Sequence, residues 1–123
     1  MLSKKSKQFD IVELYNIGLK KNITYLIGLN APGNFTIIDM AAPTDMWFHL
    51  ADKPSPHVIA KIQDNLSKKE LSYIVKQGAI LCKSLSKYKS EDKIQINYTN
   101  VVNLKKTQVI GSVDITNYKN IIL

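Results

Sequence analysis

The pattern of apolar and polar positions is clearest between Ser67 and Lys89. Leu71, Ile74, Val75, Ala79, Leu81, Cys82 and Leu85 recur at helical spacing, which predicts one long amphipathic helix over 67–89. Ser67 followed by Glu70 is a capping box, each side chain placed to satisfy the other's free backbone N–H. Elsewhere the period shortens to two. Met46, Phe48 and Leu50 alternate with Asp45, Trp47 and His49, so 45–51 predicts a strand with one apolar and one polar face. Segments 22–30, 57–62 and 93–99 also predict strands, and 9–19 fits a strand better than a short helix. The run Ala31–Asn34 (APGN) predicts a turn, and 35–41 a second strand that closes a hairpin with 22–30. Two prolines keep the 52–56 loop extended, 103–108 predicts a basic loop, and 111–123 a strand, a turn and a strand. This order predicts an α+β class: one domain over 9–123, a mostly antiparallel sheet packed against one long helix, after a flexible basic lead-in at 1–8.

The size of 123 residues and a 45% hydrophobic content allow one core without staples. A single cysteine excludes an internal disulfide. No apolar run is long enough for a membrane span, and the basic N-terminus lacks a signal-peptide core, so a soluble cytoplasmic protein is expected. The net charge is +7, and every basic residue is lysine. That excess fits a polyanion partner, although Lys, Asn and Ile together also follow from an AT-rich coding bias. Lysine is a point charge without the planar fork of arginine, so binding would rest on phosphate charge and shape more than on base sequence.

The chemistry of an enzyme is not evident. The chain has no glycine-rich phosphate loop, nucleophile elbow or zinc-type Cys/His spacing, and Cys82 lies on the apolar face of the helix, as a structural thiol would. No catalytic residue, metal or cofactor is expected. The segment Asp45–Val58 (DMWFHLADKPSPHV) concentrates the only tryptophan, both histidines and two of the four prolines. Two readings of its polar face stay open. Trp47 covers a second small core with His49 hydrogen-bonded inside it, or Trp47, His49 and His57 line a groove whose rings stack on bases.

These residues resemble the signature of the NFACT-R (NFACT RNA-binding) family. Trp47, Phe48, His49, Pro54, His57 and Val58 match its W-F-H…P-x-x-H-V block, and the likeness runs co-linearly from about Tyr25 to the C-terminus. Lys87, Lys89, Tyr98, Thr99, Lys105, Lys106, Thr116, Asn117 and Lys119 fall on its later segments. The resemblance implies a short, stand-alone nucleic-acid-binding module that is not a catalyst. Its RNA would be structured, tRNA or ribosomal RNA, in ribosome-associated quality control. On this basis Lys61, Lys83, Lys87, Lys105 and Lys106 would contact phosphates, while Trp47, His49, His57 and Tyr98 would stack and hydrogen-bond; Lys89, Asn117 and Lys119 complete the candidate interface. A ribosomal protein partner and DNA are the alternatives. The chain departs from the family at Ser55 and Pro56, where many relatives have Gly and Ser, and Pro56 has no N–H to donate.

Overall fold

The computed structural model describes residues 7–123. In chain order its elements are β1 (Phe9–Asn16), β2 (Lys21–Gly28), α1 (Ala31–Met40), β3 (Met46–Leu50), β4 (Val58–Ala60), α2 (Lys68–Ser84), β5 (Gln95–Asn100), β6 (Leu104–Lys106), β7 (Val113–Ile115) and β8 (Lys119–Ile122), with a 3-10 turn at Val101–Asn103. Six strands form one sheet in the order β1-β2-β4-β3-β5-β8, with every neighbouring pair antiparallel. β6 and β7 form a separate two-stranded ribbon. The fold is therefore α+β, as expected. Most of the lead-in expected at 1–8 lies outside the described residues.

Alternation along the strands gives the sheet two unlike faces. On the first, Tyr25, Ile27, Phe48, Leu50, Val58 and Ile96 pack beneath Ile74, Val75, Ala79 and Cys82 of α2. Gly78 makes this approach possible, because a Cβ there would lie 2.4 Å from the Phe48 ring. The capping box forms as expected: Ser67 Oγ accepts from the Glu70 N–H at 3.1 Å, and Glu70 Oε1 accepts from the Ser67 N–H at 3.0 Å. The helix stops at Ser84 rather than Lys89, so Lys87 and Lys89 belong to the following turn. Gln77 pins α2 to the first hairpin, accepting from Tyr25 Oη at 2.8 Å and Asn16 Nδ2 at 2.9 Å.

The second face corrects the sequence expectations. Residues 31–40 form a helix, with Ala41 as its extended C-cap, not a turn and a strand. Asn30 caps it by accepting from the Gly33 N–H at 2.8 Å, and Pro32 sits in the first turn, where a missing N–H costs nothing. The β-branched run Thr36–Ile38 suggests a strand locally, but Gly33 and Ile37, four residues apart, are the buried pair. Ile37 then joins Leu26, Trp47 and Ile59 in a second core, bordered by Leu104, Val113 and Ile115 of the ribbon. The basic loop expected at 103–108 is in part β6. The two strands expected in 111–123 do not pair with each other; β7 pairs with β6 and β8 with β5.

Candidate nucleic-acid interface

A polar row crosses the second face beside this core. The register sets His49 opposite Asn97, places His57 one residue before the Phe48–Val58 pair, and lets the Gly28 N–H donate to the His57 carbonyl at 2.9 Å. The Trp47 and His49 rings stack, with centroids 5.8 Å apart and planes within 4°, and His57 stands edge-on to both. The Trp47 indole N–H donates to His57 Nδ1 at 3.0 Å. An indole nitrogen only donates, so Nδ1 is the acceptor and neutral His57 carries its proton on Nε2. His49 Nδ1 lies 2.6 Å from the Leu50 carbonyl, which only accepts; its proton is therefore on Nδ1, leaving Nε2 as an acceptor.

Burial keeps both rings neutral. It pushes His57 down to about 3, helped by the neighbouring His49, and lowers His49 as well. The sign follows directly. Above the unfolded value near 6.5 both states are neutral and stability is full; below it only the unfolded chain takes the proton, until the folded value near 3 is reached. Stability should fall by up to roughly 1.4 kcal/mol per pH unit from His57 between those limits. Urea midpoints of the wild type and His57→Gln at pH 7, 5.5 and 4.5 check this. Parallel losses in both proteins would exclude His57 as the source.

The structure divides the sequence-selected residues among several places. Trp47 and His57 are 3% and 4% exposed, so the open rings that stacking on RNA requires are not presented; this corrects the groove reading for both. His49 is half-buried beside them. Lys61 is not a free cation: its Nζ lies 2.8 Å from Asp45 Oδ2, and Asp45 is 2% exposed. Lys106 of the ribbon is likewise paired with Asp39 of α1 and lies over the Phe35 ring of the same helix. Lys105 is exposed, with Asp114 as its cross-strand neighbour. Lys83 donates to the Leu123 carbonyl at 3.3 Å, Lys87 borders a cleft near the N-terminus of α1, and Lys89 is exposed in the turn after α2. Ser55 spends its hydroxyl on its own loop, accepting from the Leu50 N–H and donating to the Pro56 carbonyl, both at 3.1 Å.

Tyr98, Asn117 and Lys119 do come together. They line a groove of about 720 Å³ between α2 and the β5–β8 edge, with Lys68 and Lys76 on the helix side. No Asp or Glu lines it. Lys68 and Lys76 escaped notice because in sequence they are only two solvated positions of an amphipathic helix; their value comes from Lys119, brought alongside by β8. Also missed were Asn34 and Asn97, whose side-chain oxygens are buried without a hydrogen-bond partner. Both border a second cleft, of about 480 Å³, over His49 and His57. No sequence signal marks them, since only folding buries those oxygens. Among the described residues, no cluster of three or more His, Cys, Asp and Glu could hold a metal ion, and no helix is long and apolar enough to cross a membrane. Burial pushes the Cys82 thiol up to about 11, away from the reactive thiolate.

An antiparallel sheet covered on both faces, with an acid-free lysine groove along its helix, has the features of an α+β domain that binds polyanions. The family model described as the NFACT protein RNA binding domain matches residues 13–116, and the chain belongs to that family of nucleic-acid-binding domains. Among solved structures it is similar to the C-terminal part of the fibronectin/fibrinogen-binding protein from Streptococcus suis, with a TM-score of 0.79 at 22% identity over 98% of this chain. This chain spans 46% of that structure's length, and at this identity the likeness is one of fold. Comparison with curated proteins gives no match.

Proposed function

We propose that the protein binds structured RNA non-catalytically, with the strand backbone in the groove between α2 and β8. The carrying observation is that Lys68, Lys76 and Lys119 share one groove with no carboxylate among its lining residues. Phosphates would meet these ammonium groups as point charges, and Tyr98 and Asn117 would contact sugars or bases at the floor. Family membership supports RNA as the polyanion, and the resemblance to ribosome quality-control factors makes tRNA and ribosomal RNA the substrates to test first. Lys106 and Lys61, each held by a carboxylate, contribute little to this surface.

Three phosphate contacts give a slope of about −2 to −3 in log affinity against log salt. Lys76→Glu/Lys119→Glu should reduce that slope by about two and weaken tRNA binding on the order of 10- to 100-fold at low salt. Both side chains are exposed, so the melting temperature should not change. Fluorescence anisotropy with labelled tRNA at two salt concentrations checks this. Unchanged affinity in the folded variant would eliminate the groove, and capture of a partner that survives nuclease would point to a protein instead.

A further inference from the structure

We propose that the cleft at the start of α1 docks a short peptide segment of a protein partner, one with a bulky apolar anchor next to carboxylates. Leu29 is 46%, Leu85 43% and Ile110 62% exposed, and all three line one cleft of about 480 Å³ together with Pro54 and Pro56. Val109, beside Ile110 in the turn of the ribbon, is 68% exposed. Single exposed apolar residues are ordinary, but a group gathered from four separate segments around one cavity marks an interaction site. The turn that carries Val109 and Ile110 is braced. Thr107 Oγ1 accepts from the Val109 N–H at 3.1 Å, and the Ser112 N–H donates to the Val109 carbonyl at 3.0 Å. Gly111, at φ +84°, is pressed against α1, where a Cβ would lie 2.7 Å from Ala31 Cα. Ile110 is thus seated over the start of α1 with its side chain still in solvent. A surface fixed in advance loses less entropy when a partner binds.

The lining favours a protein over RNA. No aromatic ring lines the cleft, so bases have nothing to stack on. Several of its polar side chains are already committed within the fold. Asn30 Oδ1 caps α1, and the Ser55 hydroxyl bonds inside its own loop. Ser86 Oγ donates to the Lys83 carbonyl and accepts from the Tyr88 N–H. Aliphatic contact is what remains, and it suits an apolar side chain of a partner. The cleft also falls in the range of roughly 300–1,000 Å³ usual for ligand sites. Charge defines the rest of the partner. Lys87 is the only charged residue in the lining. Lys53 precedes Pro54 and holds its ammonium 4.9 Å from the Tyr88 ring centroid, which brings it to the turn bearing Lys87 and the exposed Lys89. Asp52, Glu91 and Asp92 are near in sequence but outside this lining. Three lysines therefore gather beside an apolar cleft, the complement of carboxylates next to an apolar anchor. This cleft and the lysine groove share no lining residue, so the domain can hold an RNA and a protein at once.

Selection of a displayed library of random peptides on the immobilised full chain, followed by titration of the enriched peptide with a fluorescent label, tests this. The enriched sequences should share a bulky apolar anchor next to Asp or Glu. Leu29→Ser/Ile110→Ser should weaken the selected peptide about tenfold or more, as loss of an anchor contact does. Lys87→Glu should weaken it about fivefold at low salt and less at high salt. All three side chains are exposed, so the melting temperature should hold in both variants. Leu29→Ser/Ile110→Ser should also leave tRNA affinity unchanged. No enriched family, or one whose binding survives Leu29→Ser/Ile110→Ser, overturns the proposal. Loss of tRNA affinity in that variant also overturns it, because the cleft would then belong to the RNA surface. A wild-type dimer in sedimentation that Leu29→Ser/Ile110→Ser dissociates overturns it too, assigning the patch to a second copy of the chain. Lys76→Glu/Lys119→Glu should lose tRNA and keep the peptide at physiological salt, so failure of the groove and failure of the cleft are seen separately.

Discussion

Asp45→Ala should destabilise the fold by about 3–5 kcal/mol, the cost of breaking a buried charged network from one side. Asp45 is 2% exposed, and both its oxygens are engaged. Oδ1 accepts from the Ile62 N–H at 2.9 Å; Oδ2 accepts from the Ala42 N–H and from Lys61 Nζ, both at 2.8 Å. One carboxylate thus ties the entrance of β3 to the exit of β4 and closes the turn after α1. Its removal strands two backbone donors as well as a cation. Lys61→Met is the informative partner variant. It removes the cation but leaves the carboxylate with two N–H donors, and the Lys61 side chain is 40% exposed, so the loss should be under about 1 kcal/mol. Urea denaturation followed by circular dichroism measures both. Equal losses would mean that the ion pair, not the backbone bonds, carries the stability. RNA affinity of folded Lys61→Met should match the wild type.

Asp45 also shows what the sequence made legible and what it did not. Its alternation with Met46 placed it correctly off the first core, and the same period-two pattern located β3 and β5. The capping box of α2 was legible because its two partners are three residues apart. Each of these features is local. The failures are nonlocal. Residues 35–38 carry strand-like side chains, and what makes them a helix is the Asn30 cap together with a hydrophobic floor formed by Leu26, Trp47 and Ile59 from three strands. Likewise Lys61 and Lys106 look like free cations until folding brings Asp45 and Asp39 to them. Lys68 and Lys76 share α2, but Lys119 lies far from them in sequence and is brought alongside only by the β5–β8 pairing. Family resemblance located the signature block, yet matching residues do not reveal whether a ring faces solvent or core.

Trp47→Ala settles that last point for the most distinctive residue of the chain. Removing a large, 3% exposed aromatic from the second core should cost about 3–5 kcal/mol. Trp47→Phe keeps much of the apolar volume between Leu26, Ile37 and Ile59 and can still stack on His49, but it deletes the N–H that satisfies His57 Nδ1. The unpaired acceptor should cost about 1–3 kcal/mol, so phenylalanine is expected to fall between alanine and the wild type. RNA affinity in the lysine groove, measured at low temperature where both variants stay folded, should hardly change, because that groove lies on the far side of the sheet. A tryptophan that stacks directly on RNA predicts the reverse: Trp47→Ala with near-normal stability and a large loss of affinity. Thermal melts and tRNA titrations on the same two variants separate these outcomes, and only the first agrees with an indole whose N–H is already committed to His57.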